Sequence, residues 1–107
     1  MRSLGQVPLV ITEEVLDEYL TYYGGQGMIL RSSAVQTVED ILTDPLIMVI
    51  PQSHQSFLDG FALYKARIDK GYSLTDCITM QAMRREGVTE ILTHDHHFTQ
   101  EGFQILL

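Results

Sequence analysis

Three carboxylates occupy positions from which they could do chemistry: Glu18 in ITEEVLDEYLTYYG, Asp76 in GYSLTDCITMQAMRREG and Asp95 in EILTHDHHF. Oxygen ligands drawn from separate elements suit a hard divalent cation such as Mg2+, which keeps several waters and is held by one or two carboxylates. Each acid also has a plain structural explanation. Glu18 is one of four acids on its helix, and at about 100° per residue it falls on the margin of a stripe formed by Val15, Tyr19 and Tyr22, with Asp17 roughly opposite. A rim carboxylate can face a cleft or simply be solvated. Asp76 stands three residues after Ser73, so S-L-T-D reads as a cap closing a helix N-terminus. That helix is nonetheless apolar nearly all round, and a carboxylate entering such an interior needs a partner or a metal. Asp95 follows the C-terminal end of the short strand EILT, the end beyond which ligands collect in open α/β sheets, although a turn aspartate capping its own backbone would look the same.

Other reactive side chains carry less. His94, His96 and His97 lie close together in a loop, not at helical ligand spacing, and no cysteine pair accompanies them, which argues against zinc. His54 is isolated. Cys77 reads as a small buried apolar residue.

The elements that must position the acids follow from periodicity and punctuation. VPLVI is a short apolar run before Thr12, which caps a helix through Tyr23 with Glu13 and Glu14 in its first turn; Gly24 ends it. Ser33 with Gln36 resembles a capping box, and Ala34, Val38, Ile41 and Leu42 then recur at helical spacing until Asp44-Pro45. LIMVI, ending at Pro51, reads as a strand buried on both faces of a parallel sheet. Phe57, Phe61, Tyr64 and Ile68 define the apolar stripe of a helix of about four turns, with Gly71 past its end. Ser73 opens a further helix, in which Leu74, Cys77, Ile78, Met80, Ala82 and Met83 cover most of the circumference, so it packs on more than one side. EILT and FQILL close the chain as short strands. The alternation β-α-α-β-α-α-β-β predicts a three-layer α/β/α sandwich with a mainly parallel sheet.

The bulk numbers bound the function. A chain of 107 residues that is 45% apolar supports one modest core, and residues 1–107 read as a single domain. One cysteine excludes an internal disulfide framework and fits a reducing, cytoplasmic setting. VPLVI is too short for a membrane span or a signal-peptide core, so no membrane partner is expected. The formal charge of −7, from 14 acidic and 7 basic residues, disfavours nonspecific coating of nucleic acid. It does not exclude a phosphate-cutting site, because bound metal ions reverse the sign that a phosphate meets locally.

ITEEVLDEYLTYYG, LIMVIP and the stretch from Leu63 to Ile105 together resemble the PIN-domain family, in the style of VapC-like toxins from toxin–antitoxin pairs. The last stretch carries helix, K/R-x-x-D-K-G, S-L-T-D, a small apolar helix, G-V, L-T-x-D-x-x-F and G-F. The resemblance implies an α/β/α sandwich and a metal-dependent endoribonuclease that uses four acids to hold Mg2+ or Mn2+ for hydrolysis of RNA phosphodiesters. Glu18, Asp76 and Asp95 match the second, third and fourth acids. Thr93 matches the small hydroxyl residue beside the last, and Ser73 supports Asp76. Lys65, Arg67, Lys70, Arg84 and Arg85 are candidate RNA phosphate contacts, though solvated helix faces explain them equally well. An antitoxin protein is the implied partner.

This sequence departs from the family at its front. The family's first strand, with an aspartate in a V-D-T/S context, and the following helix have no counterpart before VPLVI, a difference on the order of 30 residues. That strand lies centrally in the family's sheet, and its loss leaves unpaired edges. Homo-oligomerisation, with a strand-exchanged dimer as one form, is therefore expected. The alternative to a ribonuclease is a noncatalytic PIN-domain remnant acting as an oligomerising or binding module.

Overall fold

The structure, a computed structural model, describes residues 9–88, 90–91 and 97–105. Asp95, Thr93, His94 and His96 lie outside these residues. The chain divides into two compact units, 1–52 and 53–107.

The first unit is a β-α-α-β arrangement: β1 (Leu9–Thr12), α1 (Glu13–Gly24), α2 (Met28–Thr43) and β2 (Ile47–Ile50). β1 and β2 pair in parallel, with Leu9 opposite Ile47 and Thr12 opposite Ile50. Thr12 is the hinge between strand and helix. It is 1% exposed, and its hydroxyl accepts from the Val15 amide at 3.3 Å, which caps α1 as its residue type predicts.

Four details differ from expectation. The buried residue of α1 is Leu16, whereas Tyr22 is 63% exposed. The buried face is thus rotated from the Val15–Tyr19–Tyr22 stripe: it centres on the aliphatic Leu16 and not on the tyrosines, whose hydroxyls favour contact with water. α2 begins at Met28, not near Ser33: Gly27 at φ 102° is its N-cap and donates no side-chain cap, so the sequence carries no cap signal there. Gln36 instead donates to Asp40 within the helix at 2.9 Å. Only Ala34 and Val38 of the expected stripe are buried, and Leu42 is exposed. β2 is not covered on both faces, since Met48 is 43% exposed.

The second unit contains α3 (His54–Ala66), α4 (Leu74–Arg85), β3 (Glu90–Ile91), α5 (His97–Gln100) and β4 (Gln104–Ile105). β3 and β4 pair in parallel. The short α5 interrupts what the sequence reads as one loop. Leu63, Tyr72, Cys77, Met80, Met83, Phe98 and Phe103 form the core cluster. α4 contributes Cys77, Ile78, Met80, Ala82 and Met83 to the interior, spread around the helix as its pattern requires.

α3 corrects the periodicity reading. Its buried residues are Ser56, Gly60 and Leu63, while Phe57, Phe61, Tyr64 and Ile68 are 43%, 41%, 42% and 83% exposed. The small residues win because they let the α3 and α4 backbones approach: a Cβ at Gly60 would sit 2.3 Å from Ile78 Cγ1 and 3.0 Å from the Ile78 backbone. The helix also stops at Ala66, with Arg67 as its C-cap, several residues before Gly71.

Candidate functional site

Asp76 lies in the first turn of α4, half-buried, and its local geometry is fully specified. Its backbone amide donates to Ser73 Oγ at 3.0 Å, and its Oδ2 accepts from the Ser73 amide at 3.1 Å, a reciprocal capping box. The cap fixes the carboxylate's rotation and occupies one oxygen. Oδ1 receives no hydrogen bond from the described residues. The cap therefore leaves one oxygen of the side chain open to a further contact.

Glu18 lies on α1, exposed to solvent and well away in helical angle from the buried Leu16, not on the margin of the buried stripe. It has neither a hydrogen bond nor an ion pair among the described residues. Its neighbours are committed: the Gln52 amide donates to Glu13 Oε1 at 2.6 Å, and Gln52 Nε2 donates to Asp17 Oδ2 at 2.7 Å. Glu13 and Asp17 thus tie α1 to the segment leaving β2, which leaves Glu18 unengaged. Among the described residues no group of three His, Cys, Asp or Glu side chains converges to hold a metal ion. Asp95 and its neighbour Thr93 are outside that search. Cys77 is fully buried, and burial pushes its thiol up, so it is a poor nucleophile.

The five candidate phosphate contacts divide sharply. Arg67 Nε and Nη2 donate to Glu101 Oε2 and Oε1 at 2.6 and 3.2 Å. Arg84 Nη2 donates to Glu101 Oε1 at 3.0 Å and to the Glu101 carbonyl at 2.9 Å. Arg85 donates to Asp59 at 3.2 Å. Lys70 sits 3.9 Å from Asp69, and Lys65 lies over the Phe61 ring at 5.1 Å from its centroid. Guanidinium donors are thus largely spent inside the unit, while Lys65 and Lys70 remain at the surface.

Sequence reasoning misses Glu101 altogether. Its side chain is 4% exposed, and it also accepts from Tyr72 Oη at 3.0 Å. The Arg67 hydrogen bond above all, with those from Arg84 and Tyr72, holds its carboxyl down to about 2 against the opposing effect of burial. Burial first, and then the hydrogen bond to Glu101, pushes Tyr72 up to about 12. Glu101, just past the end of α5, therefore joins the C-cap of α3, the residue preceding the α4 cap and the last turn of α4. Its partners are 17 to 34 residues away in sequence, so no local pattern announces it.

A groove between α1 and α2 is lined by Leu20, Thr21, Gly24, Arg31 and Val35. Among the described residues no helix is long and apolar enough to cross a membrane.

Compared with solved structures, the chain is similar to VapC20 of Mycobacterium tuberculosis, a toxin that cleaves the sarcin–ricin loop, with a TM-score of 0.79 and 18% sequence identity over 91% of this chain and 72% of that one. This is a PIN-like fold. The mixed α/β order and parallel pairing that the sequence predicts belong to that PIN-like fold. No protein-family model matches the chain, and no curated protein does.

Proposed function

We propose that this chain is a metal-dependent endoribonuclease of toxin type, hydrolysing RNA phosphodiesters with Glu18, Asp76 and Asp95 as ligands of Mg2+ or Mn2+. The observation that carries the reading is the PIN-like fold shared with VapC20, a toxin that cleaves the sarcin–ricin loop. The donor set suits such an ion: all three ligands are carboxylates, and Asp76 keeps Oδ1 available while Ser73 holds the group in place. When bound, the ion supplies polarisation of the phosphoryl group and a more acidic coordinated water. The chain's own part is to present oxygens in fixed geometry. Ser73 positions Asp76 through the cap, Thr93 is assigned the matching role beside Asp95, and Lys65 and Lys70 offer surface ammonium groups for substrate phosphates.

An antitoxin protein is the expected partner in this reading. Self-association belongs to the same reading: the described strands form two short two-stranded sheets, β1 with β2 and β3 with β4, and strand addition by a second copy would extend such a sheet.

The test is cleavage of a structured RNA in Mn2+ by the wild-type chain and by Asp76→Asn. Loss of cleavage in the variant and in EDTA is expected. Equal cleavage by both proteins would assign the activity to something other than this site.

A further inference from the structure

The aromatic flank of α3 is a surface that the proposed chemistry leaves unused. Phe57 and Phe61, one helical turn apart, have ring planes within 6° of parallel and centroids 6.0 Å apart. His54 continues the row, its ring 20° from that of Phe57 at 6.5 Å. Lys65 Nζ completes it over Phe61. The two phenylalanines are 43% and 41% exposed, so a substantial part of each ring is open.

The rest of α3 explains why this flank is open and what its charge is. Ser56, Gly60 and Leu63 face α4, and Phe57 lies about 100° around the helix from Ser56. The helix's acid, Asp59, falls on the other flank, where Gln55 Nε2 donates to Oδ1 at 2.8 Å and Arg85 to Oδ2 at 3.2 Å. The flank with the rings therefore carries the cation of Lys65 and no carboxylate of α3, although the whole chain is strongly acidic.

We propose that His54, Phe57 and Phe61, with Lys65, form a stacking surface for unpaired bases of single-stranded RNA. Stacking on successive rings is how proteins hold single strands without reading their sequence, and an interleaved cation meets the backbone or a base face. The inference rests on the ribonuclease reading for its choice of RNA, and it places a substrate-holding surface on the helix packed directly against the one that carries Asp76.

Binding of a fluorescein-labelled 12-nucleotide oligouridine, followed by anisotropy in EDTA at low salt, tests it without any cleavage. The proteins compared are wild type, Phe57→Leu/Phe61→Leu, Lys65→Gln and Asp76→Asn. Leucine keeps apolar area at half-exposed positions and removes the ring face; circular dichroism and the melting temperature verify the fold. The expected result is a loss of affinity of about tenfold per ring removed, about threefold for Lys65→Gln, and no change for Asp76→Asn. Retained binding in Asp76→Asn together with lost cleavage separates this surface from the metal site. If wild type binds RNA through the rings yet never cleaves it, the ribonuclease reading fails and this one stands. Affinity indifferent to both ring substitutions, or no RNA binding by wild type, overturns the proposal. So does sedimentation showing a wild-type dimer that the leucine pair converts to monomer, because the face would then be covered by a second copy.

Discussion

Replacing Glu101 by glutamine keeps the side chain's size and removes its charge and one of its acceptor oxygens. Each carboxylate oxygen now accepts two hydrogen bonds, Oε2 from Arg67 Nε and Tyr72 Oη, Oε1 from Arg67 Nη2 and Arg84 Nη2. Glutamine can serve one such pair, and its amide would turn N–H groups toward the other donors. The native carboxyl binds a proton only near 2 and the unfolded one near 4.5, a displacement worth roughly 3 kcal/mol. Arg67 and Arg84 are 38% and 39% exposed, so water screens part of this and roughly 2 to 3 kcal/mol is expected. Because the folded pKa is depressed, unfolding takes up a proton between those two values. The contribution is complete above about pH 4.5 and disappears as pH falls toward 2. Urea denaturation of wild type and Glu101→Gln from pH 7 to pH 2.5 reads this directly. The two stability curves should be separated by that amount at pH 7 and converge on acidification. Equal stabilities at pH 7, or a gap that stays constant with pH, would refute the assignment of Glu101 as an ionised hub.

Gly60→Ala should lower stability by about 2 kcal/mol or more in the same denaturation assay, since the new Cβ meets both the side chain and the backbone of Ile78; a neutral outcome would mean the helices are not in contact at that point. Ser73→Ala removes the Oγ acceptor of the α4 cap and should destabilise by about 1 kcal/mol, whereas Asp76→Asn, which can still accept from the Ser73 amide, should cost less in thermal melting. Tyr72→Phe should remove a step near 12 from the tyrosinate absorbance titration, and an unchanged titration there would refute the burial and the Glu101 contact as its cause.

The parts of the fold that could be read from sequence are those with short-range causes. Thr12, Asp44-Pro45 and the Ser73–Asp76 box mark helix ends through contacts within four residues, and the short apolar runs flanking them form β1 and β2. What escaped reading has causes that lie elsewhere in the chain. Large apolar residues at i, i+4 and i+7 made Phe57, Phe61 and Tyr64 look like the buried face of α3, but close helix packing selects small residues, and Gly60 carries no hydrophobic signal. α2 starts at a glycine cap whose left-handed backbone leaves no side-chain mark. For the candidate site, the Asp76 cap was legible, whereas the oxygen that the cap leaves without a hydrogen bond emerges only from the geometry. The capture of Arg67 and Arg84 by Glu101 was not legible either, because ion pairs between distant segments follow from the fold and not from spacing.

Glu18, Asp76 and Asp95 are proposed to grip one divalent ion. Calorimetric titration of Mn2+ into wild type and into Glu18→Gln, Asp76→Asn and Asp95→Asn tests it most directly. One saturable event is expected in wild type, weakened at least tenfold by each single substitution, with the fold intact by circular dichroism. A wild-type isotherm that no one of the three substitutions alters would contradict it.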